Sequence, residues 1–171
     1  LPLLMVNTGD GKGKSTAAFG LVLRMVGNGG KCAVVQFIKG AWNTGERSVL
    51  ESFGNMVRWY TLGEGFTWEG DDPEVHARAA RAAWERARAL LAAGAHRIVV
   101  LDELTHVVRH GFVPLADVLA VLAARPSGVT AVVTGRGAPA GAVPVAAGRK
   151  TVVCARPVMP AGVSCICRIP V

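Results

Sequence analysis

The chain has 171 residues, of which 51% are hydrophobic and 18% charged, and its formal net charge is +7. This length and composition exclude a disordered chain and two ordinary domains, and they predict a single domain over residues 1–171. No apolar run approaches the roughly 20 residues that span a bilayer, so we expect a soluble cytoplasmic protein with no membrane partner. The arginines are scattered, which fits a solvated helix face or a polyphosphate ligand better than a nucleic-acid surface.

The first half of the chain alternates apolar strands with helical patterns. The start, LPLLMV, lacks a basic segment and predicts a buried strand at Leu3–Val6 rather than a signal peptide. A glycine-rich loop follows, and apolar spacing then predicts a helix over Lys14–Val26 that stops at the sequence GNGG, residues 27–30. The near-continuous apolar run Cys32–Ile38 predicts a strand buried on both faces, and Val57–Thr61 is a third candidate strand.

The second half repeats the alternation. Pro73 opens a long alanine- and arginine-rich helix that ends near Ala93, and the strongest strand pattern of the chain follows at His96–Glu103. A helix at Pro114–Ala124, a strand at Val129–Thr134 and a final strand at Thr151–Ala155 complete the prediction. Such alternation predicts an α/β fold of the P-loop NTPase-like kind, with a mostly parallel sheet flanked by helices.

The stretch VNTGDGKGKSTAAFG predicts a phosphate-binding loop, although one glycine is displaced. The standard pattern G-x-x-x-x-G-K-[ST] requires a glycine where this chain has Thr8. Lys14 supplies a full positive charge, and the hydroxyl of Ser15 is a candidate Mg²⁺ ligand. Three glycines within the loop allow close approach of the main chain to phosphate oxygens, and they are Gly9, Gly11 and Gly13.

The stretch IVVLDE is the matching acidic motif, an apolar strand that ends in Asp102 and Glu103. A carboxylate at the carboxyl end of a strand beside the phosphate loop can hold Mg²⁺ directly or through water. The alternative is that the two acids cap the helix that follows the strand. Together with the loop, the motif predicts a site for a nucleotide with Mg²⁺, or with Mn²⁺ in its place.

Two aromatic residues stand in the stretch GEGFTWEG, which three glycines punctuate. Phe66 and Trp68 are not explained by a helical core stripe; they either anchor this loop to the domain or cover a large planar apolar ligand. His106 and His110 lie four residues apart, and without a third ligand they are left unassigned.

Five blocks of the sequence resemble the ATP:corrinoid adenosyltransferases of the CobA/BtuR/CobO type. The blocks are NTGDGKGKSTAAFG, VVQFIKGAWNTGE, GEGFTWE, VVLDELT and VTGRGAP, in this order, and the resemblance covers about Val6–Pro139. It implies transfer of the 5′-deoxyadenosyl group of ATP to the cobalt(I) of a corrinoid, with release of triphosphate. It also implies a role in cobalamin biosynthesis, a homodimer and a flavoprotein-type electron donor.

The resemblance also implies roles for individual residues. Lys14 and Glu103 are then catalytic, and Mg²⁺ is held by Ser15 and Glu103, with Asp102 as a further candidate. Phe66 and Trp68 then lie beside the corrin and help to remove its lower axial ligand. Arg24 and Arg136 either meet phosphates or nucleotide, or form structural ion pairs. The residues expected to bind the ATP phosphates are Thr8, Gly9, Asp10, Gly11, Lys12, Gly13, Lys14, Ser15, Thr16, Arg24 and Arg136.

Three departures from the family pattern leave alternatives open. Relatives carry an N-terminal extension that helps to cover the site across a homodimer, Ser15 stands where threonine is commoner, and residues 140–171 match poorly and contain no acid. One alternative is a P-loop ATPase or kinase in which Glu103 activates water or a hydroxyl group. The other is a nucleotide- or corrinoid-binding protein without turnover.

Overall fold

The computed structural model describes residues 3–38, 44–61, 73–139 and 151–155. Their strands form one sheet in the order β3-β2-β4-β5-β1-β6, and every recorded pairing is parallel. The strands are β1 Leu4–Thr8, β2 Cys32–Gln36, β3 Val57–Thr61, β4 Ile98–Asp102, β5 Thr130–Thr134 and β6 Thr151–Ala155. The predicted α/β fold with a parallel sheet is confirmed.

Helices cover both faces of this sheet. They are α1 Lys14–Gly27, α2 Gly45–Glu51, α3 Pro73–Ala93, α4 Leu104–Arg109 and α5 Leu115–Ala124, and a 3₁₀ turn spans Gly54–Met56. On one face Val22 of α1 packs in a core cluster with Val34 and Val100, whereas on the other Trp84 of α3 belongs to the cluster of Val99. Because apolar side chains leave water on both sides, the central strands read as unbroken apolar runs.

The predicted element boundaries shift by one or two residues where local geometry ends a strand. β1 continues to Thr8, β2 ends at Gln36, and β4 covers only Ile98–Asp102 of the predicted His96–Glu103. The last shift has a clear cause, because Glu103 adopts a left-handed backbone conformation with φ 59° and so leaves the strand. The helix α2 and the short helix α4 were not predicted.

The scattered arginines lie on an exposed face of α3, as the sequence predicted. Arg81 forms an ion pair with Glu74, and Arg88 forms one with Glu85 on the same helix. Arg86 instead lies over the ring of Tyr60, 5.1 Å from its centroid. Within the described ranges, no helix combines the length and the apolar character needed to cross a membrane.

The strand order creates a crevice at the carboxyl edge of the sheet. After β1 the chain continues to β2, which lies toward the β3 edge of the sheet. After β5 it continues to β6, which forms the opposite edge. β1 and β5 are neighbours, with Asn7 opposite Thr134. Where neighbouring strands connect in opposite directions, open α/β sheets bind ligands in a crevice above the carboxyl ends of those strands.

Candidate active site

The glycine-rich loop between β1 and α1 has the backbone geometry of an anion cradle. Gly9 has φ 110°, and Gly13, the residue before α1, has φ 98°, conformations that side-chain-bearing residues rarely adopt. The ammonium of Lys14 donates a hydrogen bond to the carbonyl of Gly11, which draws the cation into the loop. Among the described residues, no side chain caps the amino end of α1 and no acid lies in its first turn. Its amide groups and dipole therefore favour an anionic ligand.

Two residues at the end of β1 tie this loop to its surroundings. The side-chain amide of Asn7 donates to the carbonyl of Lys14 at 3.1 Å, which fixes the start of α1. The hydroxyl of Thr8 accepts the N–H of Ala138 at 3.2 Å. Thr8 occupies the position where a standard phosphate loop has glycine, so here the side chain links the loop to the segment that follows β5.

Glu103 stands directly after β4, on the first turn of chain outside the sheet. Its left-handed backbone makes it the sole residue other than glycine with positive φ in the described ranges. Burial raises the pKa of the half-buried Glu103 carboxyl, and the charge of Asp102 raises it further, whereas Lys14 and Arg136 oppose the shift. Residues from β4, α1 and the segment after β5 thus share one electrostatic environment.

Asp102 is turned toward the protein. Its side chain is 3% exposed, and the Thr134 hydroxyl donates to Oδ1 at 2.8 Å. The side-chain amide of Gln36 lies 3.4 Å from the other carboxylate oxygen, Oδ2. Both oxygens of Asp102 therefore have protein donors, unlike those of a residue directed at solvent.

The segment after β5 fits closely against α4. Gly135 has φ 136°, and a β-carbon at this position would overlap the Thr105 hydroxyl and lie 3.3 Å from Glu103 Oε2. The same Thr105 hydroxyl donates to the carbonyl of Arg136 at 2.9 Å. Gly137 in turn lies against the guanidinium of Arg109. Only glycine at position 135 lets the segment that carries Arg136 approach Thr105 and Glu103 this closely.

Not every predicted site residue lies in this cluster. Arg24 is exposed in the last turn of α1, about 15 Å along the helix from Lys14. Asp10, Lys12 and Thr16 are exposed on the loop and the first turn, and Ser15 is half-buried there. Phe66 and Trp68 lie outside the described residues, as does the poorly matched tail apart from β6.

The two histidines left unassigned form a tilted ring pair on α4 and its end. The ring centroids of His106 and His110 are 4.4 Å apart, and burial lowers the pKa of His106, helped by the positive charges of His110 and Arg109. No cluster of three or more potential metal ligands occurs in the part of the chain that the structure describes.

Several residues of the site were missed by sequence reasoning, namely Asn7, Gln36, Thr105, Arg109 and Thr134. Asn7, Gln36 and Thr134 share one signal, since each is a polar residue at or beside the end of an apolar strand. In a parallel sheet such residues meet at the carboxyl edge. Thr105 and Arg109 depend on the packing of α4, which was not predicted.

The chain is similar to one protein family and to several individual proteins, all named as corrinoid adenosyltransferases. The sequence model of a family described as ATP:corrinoid adenosyltransferase BtuR/CobO/CobP matches residues 1–165. The corrinoid adenosyltransferase of Pseudomonas aeruginosa is 49% identical over 136 residues, which are 80% of this chain and 67% of that protein. Corrinoid adenosyltransferase CobA of Salmonella typhimurium is 46% identical over 135 residues, 79% of this chain and 68% of its own. A relative from Sinorhizobium is 47% identical over 138 residues, 80% of this chain and 64% of its own.

Proposed function

This chain belongs to the ATP:corrinoid adenosyltransferase family, and we propose that it transfers the 5′-deoxyadenosyl group of ATP to the cobalt(I) of a corrinoid. The observation that carries the proposal is the anion cradle at the amino end of α1, with Lys14 drawn into its loop, at the same edge of the sheet as Glu103. A glycine-rich loop with a lysine, and a carboxylate whose pKa both Lys14 and Arg136 influence, suit a metal-bound polyphosphate.

The chemistry of the donor set fits Mg²⁺. Glu103 is disfavoured in its charged form by burial and by Asp102, so a nearby divalent cation would restore the carboxylate. Magnesium takes few protein ligands and completes its shell with phosphate oxygens and water, consistent with the small number of acids among the described residues here. We propose that Glu103 and Ser15 hold the ion, which when bound neutralises charge on the triphosphate.

The reaction needs no protein nucleophile. The electron pair of cobalt(I) attacks C5′ of ATP, the new bond joins cobalt to carbon, and the bond from C5′ to the triphosphate oxygen breaks. The oxygen leaves with the bonding pair, so the three phosphates depart joined together. The protein must therefore align the two substrates and stabilise the leaving group.

The residues of the cradle suit this second task. We propose that the first-turn amides of α1 and the ammonium of Lys14 contact the polyphosphate, which gains negative charge as the bond breaks; the uncapped helix start and the position of Lys14 in the loop support this. Arg136, brought close to Glu103 by the tight fit of Gly135, adds a second positive charge. Lys12 and the remaining loop residues, Asp10 and Thr16, are proposed to line the same phosphates. The placement of Arg24 gives its proposed phosphate contact no support.

The corrinoid side of the site is proposed from the family resemblance. Phe66 and Trp68 would lie against the corrin ring and exclude water from the lower face of cobalt, which makes the metal easier to reduce. A homodimer and a flavoprotein-type electron donor are part of the same proposal. We also propose a cytoplasmic location, where ATP is available and where a buried free thiol such as Cys32 stays reduced.

Incubation of the chain with ATP, Mg²⁺ and chemically reduced cobalamin tests the proposal. We expect a light-sensitive cobalt–carbon product together with intact triphosphate, detected by absorbance and by phosphorus NMR. Formation of ADP and orthophosphate would instead favour an ATPase or kinase. Tight binding of both substrates with no product over hours would favour a carrier without turnover.

A further inference from the structure

The residues at the carboxyl ends of four neighbouring strands form one polar row across the sheet. Gln36 is in register with Thr61 on one side and with Asp102 on the other, and Thr134 at the end of β5 is hydrogen-bonded to Asp102. We name these four residues the carboxyl-edge row. Its contacts tighten toward the acidic turn: Thr61 Oγ1 to Gln36 Oε1 measures 3.5 Å, whereas Thr134 Oγ1 to Asp102 Oδ1 measures 2.8 Å. The strong part of the row is therefore the Thr134–Asp102 pair.

The hydrogen bonds of Thr134 have a fixed direction. A carboxylate only accepts hydrogen bonds, so the hydroxyl proton of Thr134 points to Asp102. A lone pair of the same oxygen then accepts the main-chain N–H of Glu103 at 2.9 Å. Asp102 is 3% exposed and Thr134 is fully buried, so water does not compete for these bonds.

The hydrogen bond from the main chain to Thr134 restrains Glu103, whose backbone conformation is strained. Glu103 has a left-handed backbone conformation that residues other than glycine, asparagine and aspartate rarely adopt. Its N–H bond to Thr134 fixes the peptide plane between Asp102 and Glu103, and this plane sets the direction in which the Glu103 side chain leaves the chain. Without that acceptor, the turn could relax toward a right-handed conformation and the carboxylate would move.

We infer that Thr134 is a positioning residue for the reaction: its hydroxyl, oriented by Asp102, holds Glu103 in the orientation that receives Mg²⁺ and the triphosphate. Asp102 then acts through Thr134 instead of binding the metal directly. The inference rests on the proposed function, because it takes Glu103 to be the metal-binding acid.

The test compares Thr134→Val, which removes the hydroxyl at nearly constant shape, with Thr134→Ser, which keeps it. Cobalt–carbon bond formation is measured against Mg²⁺ concentration, with saturating ATP and chemically reduced cobalamin. We expect Thr134→Val to lower kcat about tenfold and to raise the half-saturating Mg²⁺ concentration about tenfold, as the loss of both hydrogen bonds of this hydroxyl, one of them to a charged group, implies. Thr134→Ser should stay within about threefold of the wild type.

Two further variants separate positioning from stability. Thr130 lies at the opposite end of β5, where its hydroxyl accepts the N–H of Leu3 at 3.3 Å. Thr130→Val should therefore cost stability without changing the Mg²⁺ dependence. In the Glu103→Gln background, Thr134→Val should cause no further loss of rate, because the side chain that it positions has already lost its charge.

The outcomes are distinct. An unchanged Mg²⁺ dependence in Thr134→Val, or an equal loss of rate with and without the Glu103 carboxylate, overturns the inference. Absence of a cobalt–carbon product in the wild type overturns the proposed function instead. Thr134→Ala, which removes the same hydroxyl without a buried branched side chain, gives the same comparison if the valine variant does not fold.

Discussion

The left-handed backbone of Glu103 predicts that this residue costs stability in the metal-free protein. For a residue with a side chain, such a conformation is unfavourable by roughly 1–2 kcal/mol. Glycine would relieve this penalty, but its greater freedom in the unfolded chain would offset part of the gain. We expect Glu103→Gly to raise the free energy of unfolding by about 1 kcal/mol relative to Glu103→Gln, which keeps the strained backbone. For a domain of this size that difference is about 2–4 °C in Tm.

The charge of Glu103 contributes separately and depends on pH. Its carboxyl pKa is raised above the ordinary 4.5 in the folded state, so ionisation penalises the fold at neutral pH. The penalty is complete above the folded pKa and disappears below the unfolded one. The stability gained by Glu103→Gln over the wild type should therefore be largest near pH 7 and shrink as the pH falls toward 4.5, whereas the gap between the glycine and glutamine variants should stay constant.

Thermal and urea unfolding in the presence of a chelator measure both effects. Glu85→Gly is the matched control, because Glu85 is an exposed residue in the interior of α3. Its replacement should destabilise by about 1 kcal/mol, with a small addition from its exposed ion pair with Arg88. Both Glu103 variants should lose about a hundredfold or more in adenosylation rate, as expected for removal of a charged group at the reacting centre. If Glu103→Gly proved no more stable than Glu103→Gln, the assignment of backbone strain to this turn would be wrong.

Four further outcomes are expected. Lys14→Ala should remove most ATP affinity and turnover, whereas Lys31→Ala, at the far end of β2, should leave both unchanged; near-normal kinetics for the first variant would refute its phosphate role. Gly135→Ala should destabilise the fold by about 2 kcal/mol or more, because its methyl group would overlap the Thr105 hydroxyl, and differential scanning calorimetry should show no such loss for Gly20→Ala, which has open space. Arg125→Met should lower the free energy of unfolding by about 3 kcal/mol, or Tm by roughly 6–12 °C. Arg125 is 1% exposed, and its guanidinium donates to the carbonyls of Leu122 and Val129. A smaller loss would mean that these carbonyls find other donors. Trp68→Ala should spare ATP binding and slow adenosylation of cob(II)alamin under reducing conditions, and an equal loss of ATP affinity would place Trp68 on the nucleotide side.

Sequence reasoning succeeded where the signal is local and repeated. The runs that became β2, β4 and β5 are apolar on both faces, and only a sheet covered by helices on each side can bury them. The tail prediction at Thr151–Ala155 was confirmed as β6, which pairs with β1 in parallel. The short helices α2 and α4 were missed because neither is long enough to carry a periodic pattern.

For the candidate site, the glycine-rich loop and the acidic pair were identified from their motifs, whereas the preference for Glu103 over Asp102 came only from the family resemblance. Asp102 is buried against Thr134 and Gln36, whereas Glu103 faces Lys14 and Arg136. Adjacent carboxylates look alike in a sequence. Their separation depends on a single backbone angle, the positive φ of Glu103, which takes the second acid out of the strand.

Hydrophobic periodicity and glycine placement act over a few residues, so the buried segments and the glycine-rich loop could be identified from the sequence alone. Strand order was decided only by the tertiary structure. That order brings Asn7, Asp102 and Thr134 to one edge although they lie far apart in the chain, and it places Arg136 beside Glu103. Such neighbours arise from long-range pairing, whose energy depends on the packing of the whole sheet rather than on any local pattern.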